Sequence, residues 1–165
     1  MSFFVLDYGG SGVKRMKFNE VSGEDWESLK PYLDTCLLPV TGLTGSEPPA
    51  EATFKLEHLR DALELLEFPF KGRVVTYPAC HYGEGAHLYS VLNEICRKLK
   101  EEAGFKYVIA VTSQCELIPE QLTEADLVLG ASPDELEDRG AGLKERFAER
   151  VQQLWHSPET GSYGV

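Results

Sequence analysis

Apolar and polar positions in this chain fall into a beat that repeats four times after residue 33: a short β-branched or apolar run, a few small and polar residues, then an amphipathic helix. The runs are Thr35–Val40, Arg73–Tyr77, Tyr107–Thr112 and Asp126–Leu129. Parallel strands need a helical crossover between them. The alternation therefore predicts an α/β fold, a three-layer α/β/α sandwich with a mainly parallel sheet of about four strands, to which an N-terminal hairpin could be added. In open sheets of this kind, ligands sit where strand carboxyl ends meet the following loops.

The helices are marked by their caps and their period. Ser22-Gly23-Glu24-Asp25 supplies a capping serine and an acidic first turn, with Trp26, Leu29 and Leu33 on one face. Pro31 is awkward inside that helix and predicts a kink or an early end. Thr41–Ala52 reads as a loop held open by Gly42, Gly45, Pro48 and Pro49, and a second helix over about 56–68 carries Leu59, Ala62, Leu63 and Leu66 at helical spacing. A third, over about 86–103, has the strongest period (Leu88, Val91, Leu92, Ile95, Leu99) and stops at Gly104. Ser132-Pro133-Asp134-Glu135 is a capping box with proline at the first helical position. Gly140 and Gly142 interrupt the helix it starts, which resumes through Leu143, Phe147, Val151 and Leu154. Pro39 lacks an amide donor and is expected at a sheet edge or a strand end.

Composition narrows the function classes. The 165 residues suit one domain over 16–157, with 158–165 as a flexible tail. A formal net charge of −11 disfavours nucleic acid and anionic membrane surfaces, both of which need clustered Lys and Arg. No apolar stretch approaches a membrane span, so no membrane insertion is expected. The first residues lack the basic start and long apolar run of a signal peptide. The four cysteines (Cys36, Cys80, Cys96, Cys115) are irregularly spaced without a CxxC, so they read as reduced thiols of a cytoplasmic protein.

Residues 1–15 carry three readings. Phe3–Asp7 and Val13–Phe18 could pair as a hairpin across Gly9-Gly10-Ser11-Gly12. Asp7-Tyr8-Gly9-Gly10-Ser11-Gly12-Val13-Lys14 resembles the first phosphate loop of actin-like sugar and acetate kinases, although those enzymes close two large domains on a nucleotide, more than this chain supplies. The codons for Ser11–Met16 could instead resemble a bacterial ribosome-binding site, which would make 1–15 a translated leader before a start at Met16.

The segments Asp34-Thr35-Cys36-Leu37-Leu38-Pro39-Val40, Phe70-Lys71-Gly72-Arg73-Val74-Val75 and Gly104-Phe105-Lys106-Tyr107-Val108 resemble the small YpiF-like proteins of spore-forming Firmicutes, a family of unknown function. The resemblance covers about 16–112 and implies a bacterial cytosolic protein without assigning an activity. A more distant similarity is to creatininase-type amidohydrolases, whose metal ligands include a Glu and a His after the first strand and a Gly-His-Gly stretch after a later one. Here those places read Thr41-Gly42-Leu43-Thr44-Gly45 and Ser113-Gln114-Cys115-Glu116, without a His. That similarity speaks for the fold and against the metal chemistry.

Three loops at strand carboxyl ends carry the candidate chemistry: Thr41, Thr44, Ser46 and Glu47; Cys80, His81 and Tyr82; Ser113, Gln114 and Cys115. A catalytic reading takes Cys80 as a nucleophile with His81 as base, but neighbours in sequence rarely point at each other, and no Gly-x-Cys-x-Gly elbow surrounds Cys80. Cys80, His81, His87 and Cys115 are nitrogen and sulfur donors without an established zinc spacing, so no metal and no cofactor is expected. Gly42-x-x-Gly45-Ser46 lacks the lysine of a phosphate loop. Cys96 reads as core, and His58 and His156 as surface. The leading expectation is a non-catalytic protein that binds a protein partner or a small ligand at the strand carboxyl ends, through Thr41, Thr44, Ser46, Cys80, His81, Ser113 and Gln114. The alternative is a small hydrolase or transferase using Cys80 with His81.

Overall fold

The computed structural model describes residues 16–114, 116–138 and 141–157. Among these, five strands form one all-parallel sheet: β1 (Thr35–Leu43), β2 (Val74–Thr76), β3 (Cys80–Tyr82), β4 (Tyr107–Thr112) and β5 (Leu127–Gly130). The order is β2-β1-β4-β5, and β3 pairs with β1 further along the side where β2 lies. The helices are α1 (Gly23–Leu29), α2 (Pro49–Glu67), α3 (Gly85–Glu101), α4 (Pro133–Glu137) and α5 (Ala141–His156). The expected hairpin and leader fall on 1–15, and the expected tail on 158–165, outside the described residues.

Period-two alternation in β1 and β4 sorts the core into two layers. Cys36, Leu38, Val40, Val108 and Ala110 meet Leu88, Leu92, Cys96 and Leu99 of α3, with Trp26 and Leu29 of α1 on the same side. Leu37, Ile109 and Val111 meet Leu59, Ala62, Leu63 and Leu66 of α2, and Phe147 and Val151 of α5. The sheet is thus covered on both faces, which is why its central strands read as near-continuous apolar runs.

Pro39 sits in the middle of the central strand, not at an edge or an end. The hydrogen-bond pattern of β1 explains how. Successive residues of a strand aim their backbone groups to alternate sides, and the odd-numbered ones here face β2 and β3. The Thr35 amide donates to the Arg73 carbonyl (3.3 Å), while the Leu37 and Leu43 carbonyls accept from Tyr77 (3.0 Å) and Gly83 (3.0 Å). The last β2 pairing is Leu37↔Thr76 and the first β3 pairing is Val40↔Cys80, so Pro39 faces the interval between the two strands. The residue without an N–H stands where no ladder bond is required.

Other expectations are corrected. The sheet has five described strands, because Cys80–Tyr82 pairs with β1 where a loop was expected. Strand β1 continues past Val40 to Leu43 through an irregular step at Gly42, whose φ of 76° suits a residue without a Cβ. Helix α2 starts at Pro49, since proline at the first helical position gives up an amide that would lack a partner anyway. Helix α1 ends at Leu29, so Pro31 follows it rather than kinking it. Val91 is 38% exposed at the rim of α3, and Gly142 lies inside α5. His58 is buried at 7% exposure, its Nδ1 against the Phe54 carbonyl (2.8 Å) and its Nε2 against the Glu137 carboxylate (3.1 Å). That pair ties α4 to α2.

The amino edge of the sheet is closed by a polar clamp. The Arg73 guanidinium donates to both oxygens of Asp34 (3.0 and 3.2 Å) and lies over the Trp155 ring, 3.8 Å from its centre. The Trp155 indole N–H donates to the Thr35 hydroxyl (2.9 Å), which donates to Asp34 (2.9 Å). Residues before β1, before β2 and near the end of α5 are joined in one network, and two-point guanidinium pairs of this kind hold geometry better than single surface contacts.

The phase of α3 generates a test. Leu92 has no exposed surface, so Leu92→Ala should lower the unfolding free energy by about 2–5 kcal/mol. Lys98 is on the opposite side, paired with Glu94 at 3.0 Å, so Lys98→Ala should cost less than about 0.5 kcal/mol. Urea denaturation of both variants checks this, and equal costs would show that the helix is rotated.

Candidate functional site

The chain leaves β1 toward β2 and β3, then crosses through α3 to β4 on the other side. The carboxyl ends of β1 and β4 therefore flank the point where the strand order reverses, the usual location of ligands in open parallel sheets. The candidate residues distribute along this edge in three separate arrangements.

The first is the β1–α2 loop. Glu47 folds back on it: its carboxylate accepts from the Thr44 amide (2.8 and 3.1 Å), the Gly45 amide (2.9 Å) and the Thr44 hydroxyl (3.0 Å), and Lys55 approaches at 3.3 Å. The Thr44 and Ser46 hydroxyls bond to each other at 2.7 Å. The backbone donors that could hold a phosphate after a first strand are engaged by the chain's own carboxylate. Those hydrogen bonds, the Thr44 amide first, hold the Glu47 pKa down at about 2.

The second arrangement joins β1 to β3. Buried Thr41 places its hydroxyl 2.9 Å from His81 Nδ1, and burial lowers the His81 pKa. Cys80 packs against the core on the α3 side, and burial raises its thiol pKa. The same effect pushes Cys96 up to about 12, with α3 carrying it into that core. Neighbouring residues of a strand point to opposite faces, and this separates the Cys80 side chain from the imidazole next to it. His87 is exposed on α3, His156 is exposed on α5, and Cys115 lies outside the described residues. Among the described residues, no group of three His, Cys, Asp or Glu side chains could hold a metal ion.

The third arrangement is a cleft of about 430 Å³ at the carboxyl ends of β4 and β5. Thr112, Ser113 and Gln114 line it from β4, and Gly130, Ala131, Ser132 and Pro133 from the turn into α4. Val128, Glu116, Leu117 and Pro119 complete the lining. The wall formed by the β4–β5 connection is held by α3. The Ile118 amide donates to the Tyr89 hydroxyl (2.9 Å), which donates to the Glu116 carbonyl (3.3 Å). One turn along, Asn93 donates to the Gln121 carbonyl (2.9 Å) and accepts from the Glu124 amide (3.0 Å). Tyr89 and Asn93 escape a reading by motif, and their only signal in the sequence is two hydrogen-bonding groups four residues apart on one helix. The opposite wall is fixed by the Ser132–Glu135 capping box and by the His58–Glu137 tie.

Two polar atoms in the cleft residues have no partner. Ser113 is 6% exposed, and neither its Oγ nor the Gln114 Nε2 makes a hydrogen bond. Both atoms are closed off from solvent. A buried polar group left this way costs about 1–3 kcal/mol, and native structures keep few of them. Thr41, Thr44 and Ser46 have found partners within the chain, whereas Ser113 and Gln114 retain unused bonding capacity.

The Glu47 turn makes its own prediction. A carboxyl whose folded pKa is depressed stabilises the fold fully above its ordinary value of 4.5, and the contribution disappears as pH falls toward about 2. A carbon-detected NMR titration should place the Glu47 midpoint near 2. A midpoint near 4.5 would mean that the turn is open in solution.

No helix among the described residues is long and apolar enough to cross a membrane. No curated protein and no solved structure matches the chain. A family model does match, over residues 24–154, which takes in all five strands and nearly all of the helical layers. The chain belongs to that family, a protein family of unknown function designated DUF2487.

Proposed function

We propose that this protein is a non-catalytic binding protein that holds a small ligand at the carboxyl edge of its sheet, in the cleft between β4 and β5. The observation that carries the reading is the Ser113 hydroxyl, buried without a partner in a residue that lines a cleft of about 430 Å³. That volume falls in the range of small-molecule sites, and side-chain hydrogen bonds from α3 and from the turn into α4 support the described walls. The hydrolase or transferase alternative draws no support from the geometry. Cys80 faces the core with a raised thiol pKa, while the His81 ring is engaged with Thr41. Nucleophilic thiols need the opposite shift. The free thiols of Cys36, Cys80 and Cys96 support a reducing compartment, so the cytosol is the proposed location. The narrower resemblance to YpiF-like proteins of spore-forming bacteria belongs to this reading and adds no activity to it. The creatininase-like resemblance adds none either.

Two measurements test the cleft. Ser113→Ala removes a hydroxyl without a partner, so the unliganded protein should keep its stability or gain up to about 1 kcal/mol. A loss of more than about 1 kcal/mol would show that the hydroxyl serves the fold instead. Isopropanol, added to ¹⁵N-labelled protein, should shift the amide signals of 112–114 and 130–132 in a saturable way. Shifts scattered over the surface, with none at those residues, would remove the cleft as a binding site.

A further inference from the structure

The charge and the apolar surface of the cleft together specify what enters it, on the reading that the cleft is a binding site. We infer that its ligand is a small organic cation, an apolar body held between β5 and the β4–β5 connection with a protonated amine at the mouth beside Glu116.

Charge along the chain supplies the first step. Every described lining residue belongs to the stretch between Lys106 and Arg139, which holds eight Asp and Glu and no Lys, Arg or His. Three of those carboxylates are engaged from other elements: Asp126 by Lys100 of α3 (3.5 Å), Glu135 by Arg146 of α5 (3.1 Å) and Glu137 by His58 of α2 (3.1 Å). Glu116, Glu120 and Asp134 are exposed and have no ion pair among the described residues. Glu116 lines the cleft itself, and the other two directly follow the lining residues Pro119 and Pro133. Unpaired negative charge therefore stands on both sides of the cleft, in a chain that carries −11 overall.

The lining supplies the second step. Leu117, Pro119, Val128, Ala131 and Pro133 give the cleft its apolar surface, against which any apolar body is favoured. A neutral molecule gains that contact alone. A cation whose charged end stays at the mouth, where water still reaches it, adds a modest attraction to the Glu116 carboxylate without the cost of full desolvation.

Anions are excluded by the same inventory. The described lining contains no Lys, Arg or His, so a carboxylate or phosphate entering it would lose hydration with no cation in exchange. The start of α4 does not compensate. Its Ser132 amide donates to Glu135 (2.8 Å), and its Glu135 amide donates to the Ser132 hydroxyl (3.2 Å). An organic cation is the class that uses both the walls and the mouth.

Three probes of one shape separate the possibilities: benzylamine, benzyl alcohol and benzoate, titrated into the ¹⁵N-labelled full chain at pH 7 and low salt. Benzylamine should shift the amide signals of 112–114, 116 and 130–132 saturably, about 2- to 5-fold more tightly than benzyl alcohol, the preference that an exposed ion pair supports. Benzoate should bind more weakly than either. Raising NaCl to about 0.5 M should shrink the preference for benzylamine, because exposed charges are screened. Glu116→Gln should abolish the preference. Glu27→Gln removes the same charge from α1, which packs through Trp26 on Phe105 at the amino end of β4, and should leave the preference intact. Benzyl alcohol or benzoate binding as tightly as benzylamine at those residues would overturn the ligand class while leaving the cleft a binding site. Equal losses from Glu27→Gln and Glu116→Gln would overturn it too, by tracing the preference to net charge. Silence from all three probes, with isopropanol still collecting there, would also overturn the class. Silence from isopropanol as well would remove the site itself.

Discussion

The central strand must satisfy hydrogen bonds on both of its sides, yet it contains a residue that cannot donate. Pro39 pairs with Val111 of β4 by position and turns its backbone toward the other side, where its ring carries no N–H. The neighbour on that side responds by dividing. Strand β2 ends at Thr76, Tyr77-Pro78-Ala79 pass the proline, and β3 resumes the pairing at Cys80. The division has a consequence at the carboxyl edge, because β3 brings His81 to Thr41 and turns Cys80 into the core. Gly83 then closes the segment. Its φ of 145° and the 2.9 Å that would separate an added Cβ from the Leu88 side chain leave no room for a larger residue without moving Leu88.

The two ends of the sheet use polar groups in contrasting ways. At the amino end, Asp34, Thr35, Arg73 and Trp155 bond to one another, and the Phe70 ring meets Trp155 edge-on at 5.0 Å. Such a network contributes rigidity. At the carboxyl end the groups divide. Those after β1 are turned inward by Glu47, whereas the Ser113 hydroxyl and the Gln114 side-chain nitrogen, just after β4, have no partner. The strand order reverses between these two strands, where ligands usually sit in open parallel sheets, and the polar groups on the two sides of the reversal differ in whether they are already bonded.

Much of this was legible in the sequence, and the failures share a cause. The period of α3, the capping box of α4 and the buried run of β4 are local signals, and each predicted its element to within a few residues. What escaped depends on partners distant in sequence. Cys80–Tyr82 is too short and too polar to announce a strand, and becomes one because β1 offers an unpaired edge past Pro39. His58 looked like a surface residue until α4 brought Glu137 to it from 79 positions away. Glycine and proline between 42 and 49 were read as loop punctuation. Two of them serve regular structure instead, Gly42 inside a strand and Pro49 at a helix start.

The candidate site shows the same limit in sharper form. Topology alone assigned Thr41, Thr44, Ser46, Cys80, His81, Ser113 and Gln114 to one edge, and the strands that carry or precede them are parallel. It could not rank them, because ranking depends on which polar groups are already bonded. Glu47 is the deciding residue for the first loop. A carboxylate two and three residues beyond two backbone donors does locally what a bound anion would do, and it removes that loop from contention for negatively charged ligands. Ser113 is the deciding residue for the second, for the opposite reason. A fold that bonds Thr35, Thr41 and Thr76 in its interior has the means to satisfy a hydroxyl. Here it leaves the Ser113 hydroxyl buried and without a partner in a residue that lines the cleft, a cost of about 1–3 kcal/mol that nothing in the sequence announces.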